Sequence, residues 1–142
     1  MPSFSHSIEV SKPPAEVFPW LLEEDKVPRW TSELASYEQL GPLGPGAKVK
    51  QVLSFGGSHV TLDVDVTRYE APQLAETRFS TNGVEITNTY TVEPTGAGSR
   101  VTQRVDAKPT SLTARMVIPV VQGRLEKKLA DDLERLRSVI GG

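Results

Sequence analysis

One segment of the chain alternates apolar and polar residues without interruption, and this alternation constrains the fold more than any other feature. In residues 60–67 the even-numbered positions hold only Val or Leu, and the odd-numbered positions hold only Thr or Asp. Successive side chains of a strand point to opposite faces, so a period of two indicates a half-buried strand. The segment therefore predicts antiparallel sheet with one apolar face and one solvated face.

The same alternation recurs on both sides of this segment. Two dipeptides typical of hairpin turns, Gly56-Gly57 and Asn82-Gly83, separate parts of the pattern. We predict further strands near residues 4–10, 34–40 and 48–55, a short one ending near Phe79, and two with inner faces at 84–92 and 101–105. Together they predict a sheet of about seven antiparallel strands.

Helical spacing is present in three places. Pro14 and the apolar residues after it predict a short helix over 14–23, and Pro28 limits residues 27–30 to a second short helix or a turn. Beyond Pro109, Thr110 or Ser111 can cap a long C-terminal helix. We predict an α+β fold over residues 1–142, a single domain in which a curved antiparallel sheet wraps round the long helix.

Composition excludes several function classes. The 142 residues include 16 Lys or Arg and 18 Asp or Glu, so the net charge of −2 provides no basic field to hold nucleic acid. The absence of cysteine removes disulfides, thiol nucleophiles and thiolate metal sites, and two histidines exclude a histidine-rich metal site. We expect no cofactor and no metal. Since no apolar run reaches the length of a membrane span and no secretion pattern opens the chain, we expect a cytoplasmic protein without stable membrane insertion.

A strongly curved sheet wrapped round a helix leaves a gap, which is a natural ligand cavity. Four polar residues lie on the predicted inner faces, and a buried polar group without a partner is costly. They are Asn88, Gln103, His6 and Gln51. Two interpretations stay open. These residues form the hydrogen-bonding groups of an apolar pocket, or a slip of register by one residue places them elsewhere.

Other inner-face residues complete the predicted ligand-binding site. Tyr90 either donates a hydrogen bond to a ligand carbonyl or belongs to the core, and Trp30 lies near the cavity mouth, where ligand contact and simple packing are equally consistent. We predict that Met116 and Val120 face the sheet from the long helix. The apolar wall is predicted to include Leu62, Val64, Phe79 and Ile86.

The helical segment 116–121 is apolar on all sides apart from Pro119. Such a segment is buried on both sides, or it forms a patch that faces a dimer partner or a membrane. The sequence leaves these options open, and it leaves open whether the protein is a monomer or a homodimer.

The order of these elements resembles the START-like, or helix-grip, superfamily, in particular its polyketide cyclase/dehydrase and lipid-transport (SRPBCC) branch. The resemblance covers nearly the whole chain. It rests on Ile8-Glu9-Val10 leading to Pro14-Ala15-Glu16-Val17-Phe18, Val27-Pro28-Arg29-Trp30, Gly44-Pro45-Gly46 before Lys48-Val49-Lys50, Arg68-Tyr69-Glu70-Ala71-Pro72, and the hairpin from Tyr90 to Val105.

The resemblance implies a protein that binds or carries a hydrophobic small molecule, such as a lipid, isoprenoid, quinone or polyketide. The superfamily has no shared catalytic residue, so two alternatives remain. One is a polyketide cyclase, aromatase or dehydratase, for which His6 and Tyr90 are the candidate catalytic residues and Asn88 is a further inward polar group. The other is a protein-interaction or regulatory module that uses segment 116–121 or the outer face of the sheet.

Overall fold

A computed structural model describes residues 3–55 and 57–141, apart from the side chain of Phe55. Seven strands form one antiparallel sheet in the order β1-β7-β6-β5-β4-β3-β2. The strands are β1 (Ser3–Val10), β2 (Leu34–Gln39), β3 (Lys48–Phe55), β4 (Ser58–Glu70), β5 (Leu74–Thr81), β6 (Val84–Pro94) and β7 (Ser99–Pro109). The predicted α+β architecture is confirmed.

The predicted helix over 14–23 is present as two shorter pieces. Helix α1 spans Pro14–Val17, and a 3-10 turn follows at Phe18–Leu21. Pro19 has no backbone N–H and cannot continue the α-helical hydrogen bonds, which explains the change of helix type. A second 3-10 turn spans Val27–Arg29, as Pro28 predicted.

Helix α2 spans Leu112–Ile140 and packs on β1 and β7. The Ser111 side chain accepts a hydrogen bond from the Ala114 amide at 3.1 Å, so the predicted cap is confirmed with Ser111 as the capping residue. At the other end Gly141 adopts φ +115°, the left-handed conformation that commonly ends a helix.

Turn chemistry and register follow the sequence pattern. Asn82 and Gly83 both have positive φ, as a two-residue hairpin turn of this type requires. Gly57 has φ +91°, whereas Gly56 lies outside the described residues. The predicted inner faces are confirmed, because Gln103 of β7 lies opposite both His6 of β1 and Tyr90 of β6.

The inner face of the sheet is not uniformly covered. Under the C-terminal half of α2 the core is closed, and Leu133 and Leu136 are fully buried there with Val101 of β7. A smaller cluster of Val49, Leu62 and Val64 lies on β3 and β4, beside residues that are only partly buried. The inner face is thus less completely covered on β3 and β4 than on β7.

Candidate functional site

Three of the predicted polar residues form a hydrogen-bonded group on the inner face. The Gln103 side-chain amide donates to Asn88 Oδ1 at 3.0 Å and to the Tyr90 hydroxyl oxygen at 3.3 Å. Gln103 and Tyr90 are buried, and Asn88 is half-buried. The inward placement of these residues is confirmed, and their mutual bonds offset the cost of burying them.

Tyr90 is held in its neutral form. Burial raises the pKa of its hydroxyl, and the negative charge of Asp132 raises it further. The hydroxyl oxygen accepts from Gln103, and none of the described residues accepts the proton of this hydroxyl. Tyr90 is therefore a neutral donor on the inner face of the sheet.

Asp132 is an inward residue that the sequence interpretation missed. It is only 4% exposed, and its carboxylate binds Lys128 Nζ at 2.7 Å and accepts from the Ser32 amide at 3.1 Å. Arg135 Nη1 lies 3.6 Å from Asp132 Oδ1. The position could have been found from spacing, because residue 132 falls three residues after Leu129 and four before Leu136, on the buried stripe of α2.

Tyr37 is a second residue that sequence reasoning did not assign to the site. Its hydroxyl donates to the Leu22 carbonyl at 2.7 Å and so joins β2 to the segment after the first 3-10 turn. Burial raises the pKa of Tyr37, with smaller contributions from Tyr90 and Glu24. Its neighbour in the sheet is Gln51, which is half-buried on β3 and lies between Tyr37 and Leu62.

His6 lies beside this polar group, at the β1 edge of the sheet. Its Nε2 atom is buried, has no hydrogen-bond partner among the described residues, and lies 3.7 Å from Glu134 Oε2 on α2. The predicted inward position is confirmed by the pairing of His6 with Gln103. A catalytic role for His6 stays a prediction.

The predicted apolar wall divides into two kinds of residue. Trp30 is buried in the main core and donates from Nε1 to the Trp20 carbonyl at 2.9 Å, and Leu62 and Val64 are buried in the smaller cluster. Phe79 and Ile86 are half-buried and lie opposite each other on β5 and β6. These two side chains are therefore only partly covered by the rest of the protein.

Two predicted wall residues are placed wrongly by the sequence interpretation. Met116 and Val120 are 70% and 82% exposed, so they face solvent and not the sheet. Ala114 and Ile118 are the buried residues of this part of α2. Because both faces of the segment are apolar, the spacing of residues alone does not predict which face packs against the sheet.

The cavity predicted between sheet and helix stays a prediction. An open cavity of about 500 Å³ lies among acidic and polar side chains, next to the segment that joins the two 3-10 turns. A second cavity of about 340 Å³ lies where β5 begins and β6 ends, near Gln73. Neither is lined by a predicted site residue. The first is lined by Glu23, Glu24, Asp25, Gln39, Leu43 and Tyr69.

The described residues also bear on metal binding and on membrane crossing. The described part of the chain holds no group of three or more His, Asp or Glu side chains placed to bind a metal ion. Within residues 3–55 and 57–141, no helix combines the length and the apolar character needed to cross a bilayer.

Comparison with known proteins gives one family and many structures. Residues 1–141 match the model of a family described as polyketide cyclase / dehydrase and lipid transport. No curated protein matches the sequence. The crystal structure of TTHA0849 from Thermus thermophilus superposes with a TM-score of 0.80 at 15% sequence identity, covering 98% of this chain and 97% of that one. The crystal structure of CV1439 from Chromobacterium violaceum has a TM-score of 0.74 at 14% identity and covers 100% of this chain and 99% of that one. The crystal structure of Ara h 8.0201 has a TM-score of 0.72 at 14% identity and covers 97% of this chain and 96% of that one. At such identities the similarity establishes the fold alone.

Proposed function

The chain belongs to the polyketide cyclase/dehydrase and lipid-transport family, and from this premise we propose that residues 1–142 act as one domain that binds a hydrophobic small molecule between the sheet and α2. Members of this family bind hydrophobic ligands or have polyketide cyclase-like activity. The ligand of this chain would lie against the ends of β3–β6, under the N-terminal half of α2.

The observation that carries this proposal is the incomplete burial of an apolar surface on the inner face of the sheet. Where the C-terminal half of α2 packs, the inner-face residues are buried, but further along the strands the apolar side chains are only half-buried. These are Leu53, Val60, Phe79, Val84 and Ile86. Covering such side chains with an apolar ligand removes their surface from water and so favours binding.

The polar group beside this surface supports a ligand that carries an oxygen atom. The Asn88 amide nitrogen has no acceptor among the described residues, and the Tyr90 hydroxyl retains its proton. Both are donors, and a carbonyl, ester or hydroxyl oxygen is the matching acceptor. A mostly apolar pocket with a few placed polar groups is typical of small-molecule sites.

The test is a fluorescence titration with 1-anilinonaphthalene-8-sulfonate, together with native mass spectrometry for a co-purified molecule. Phe79→Ser removes an aromatic ring from the half-buried surface, and we expect about tenfold weaker probe binding, in line with the loss of a buried aromatic contact. Leu40→Ser is the matched control, because Leu40 is an exposed apolar residue at the end of β2, outside the half-buried surface. Equal loss in both variants, or no loss in Phe79→Ser, would show that the probe binds elsewhere.

A second candidate function is catalysis on a polyketide-like substrate. It is favoured by one observation. The buried Nε2 of His6, on the same row of the sheet as Tyr90, has no hydrogen-bond partner among the described residues and lies 3.7 Å from Glu134 Oε2. An acid–base role needs such a group within hydrogen-bond reach of the reacting atoms. The test measures turnover of a β-keto thioester by wild type and by a His6→Ala, Tyr90→Phe double variant. If wild type turns the substrate over and the double variant retains that activity, the pair has no acid–base role.

A further inference from the structure

Helix α2 carries an exposed apolar surface that neither the core nor the proposed ligand site uses. Its five side chains, here called the α2 patch, are Leu112, Met116, Val117, Val120 and Val121, with exposures of 73%, 70%, 47%, 82% and 37%. Residues 112, 116 and 120 recur at every fourth position, so they form one row along the helix. The patch thus covers more than two helical turns.

The exposed row of the α2 patch, formed by Leu112, Met116 and Val120, does not face the sheet. Met116 and Val120 each lie two positions from the buried Ile118 and so on the opposite side of the helix, whereas Val117 and Val121 border the buried face and are the least exposed members of the patch. Substitutions in the middle of the patch therefore leave the core contacts of α2 in place.

The charged residues of the helical segment that carries the α2 patch are of one sign. No acidic residue occurs between Asp106 and Glu126, whereas Arg115 and Arg124 lie within the helical part of this stretch. Arg115 is exposed and forms no ion pair in the described part of the chain, and Arg124 binds Glu33 at 2.8 Å. A long arginine side chain beside apolar residues can place its charge at the phosphate level of a bilayer.

The size of the α2 patch argues against a dimer interface. Its five side chains expose on the order of 500 Å² of surface, compared with roughly 800 Å² that each partner buries in a standard interface. A second copy would also present the same arginines without any carboxylate in residues 107–125 to pair with them. Both points favour a partner that is apolar and anionic at once.

We propose that the α2 patch docks on the surface of an anionic lipid bilayer. The apolar side chains enter the boundary between headgroups and acyl chains, and Arg115 approaches the lipid phosphates. This docking is reversible and does not depend on the proposed ligand site, since the patch and the half-buried inner face share no residue.

The test measures sedimentation of the full chain with phosphatidylcholine vesicles, with and without phosphatidylglycerol. We expect binding to the mixed vesicles and weaker binding to phosphatidylcholine alone. A Met116→Asp, Val120→Asp double variant should bind the mixed vesicles at least about tenfold more weakly, because it loses two inserting apolar side chains and anionic headgroups repel the new carboxylates. Arg115→Gln should bind the mixed vesicles about fivefold more weakly, which is the effect of removing one basic residue near an anionic surface.

Leu40→Asp is the matched control, because Leu40 is 52% exposed at the end of β2, away from α2. Unchanged circular dichroism verifies that each variant is folded, and retained vesicle binding by Phe79→Ser separates this proposal from the ligand site. The proposal is overturned if wild type does not bind the mixed vesicles or binds both vesicle types equally. It is also overturned if Leu40→Asp loses as much as the double variant, or if light scattering shows a wild-type dimer that the double variant breaks.

Discussion

Gln103 donates a hydrogen bond to the hydroxyl oxygen of Tyr90 across the β6–β7 pair, at 3.3 Å, and the two residues lie directly opposite each other in the register. The same amide also donates to Asn88. The inner face of the sheet thus has a polar group whose members are joined by hydrogen bonds from Gln103, beside apolar side chains that are not fully covered. This arrangement leads to the first prediction.

Gln103→Met should destabilise the protein by about 1–2 kcal/mol, because Asn88 Oδ1 and the Tyr90 oxygen both lose their donor. Urea denaturation measures the change. Gln51→Met is the matched control, since Gln51 is half-buried and forms no side-chain hydrogen bond with a described residue, and it should change stability by less than about 0.5 kcal/mol. Equal effects would mean that the Gln103 bonds do not stabilise the fold.

Asp132→Ala should lower the free energy of unfolding by about 3 kcal/mol, because it leaves the Lys128 ammonium and the Ser32 amide without their partner in a poorly hydrated place. Asp131→Ala is the control. Asp131 is exposed and pairs with Lys127 at 2.6 Å, so its loss should cost under about 0.5 kcal/mol. Both variants gain the same helix propensity, so the difference between their unfolding free energies isolates burial. A difference near zero would contradict the buried role of Asp132.

The tyrosines predict how stability depends on alkaline pH. The pKa values of Tyr37, Tyr69 and Tyr90 are all raised above 10.0, mainly by burial. The unfolded chain therefore ionises first, so this contribution to stability is complete below pH 10 and is lost as the pH rises from there through the folded-state pKa values. Absorbance at the tyrosinate band should rise near pH 10 in urea and only at higher pH in the native protein. Coincident titrations would disprove the burial of these hydroxyls.

Alanine substitutions on α2 test which face of the helix packs. Ile118→Ala should lower the free energy of unfolding by about 2–3 kcal/mol, because Ile118 is 6% exposed and its truncation leaves a cavity. Val120→Ala, two residues further on, should change stability by less than about 0.5 kcal/mol. Thermal unfolding measures both. The opposite ranking would restore the inward position that the sequence alone suggested for Val120.

Much of the site could be predicted from the sequence because a strand has a period of two. Once residues 60–67 assign the inner face of one strand, pairing extends that face to its neighbours, and His6, Asn88 and Gln103 follow. Helical spacing places Asp132 on the buried stripe of α2, but its burial with Ser32 does not follow from spacing, because charged residues on a helix are usually solvated and Ser32 is 100 residues distant in sequence.

The sequence by itself determined the order of elements, the hairpin at Asn82-Gly83, a helix cap at Thr110 or Ser111 and the inner faces of the strands, because each depends on local conformation or on strict alternation. Only the tertiary structure decided which side of residues 112–121 packs on the sheet. That segment is apolar on both sides, so no local preference separates Ile118 from Val120. The choice is made by the docking of the rest of α2, where Leu129, Leu133 and Leu136 fix the rotation of the whole helix.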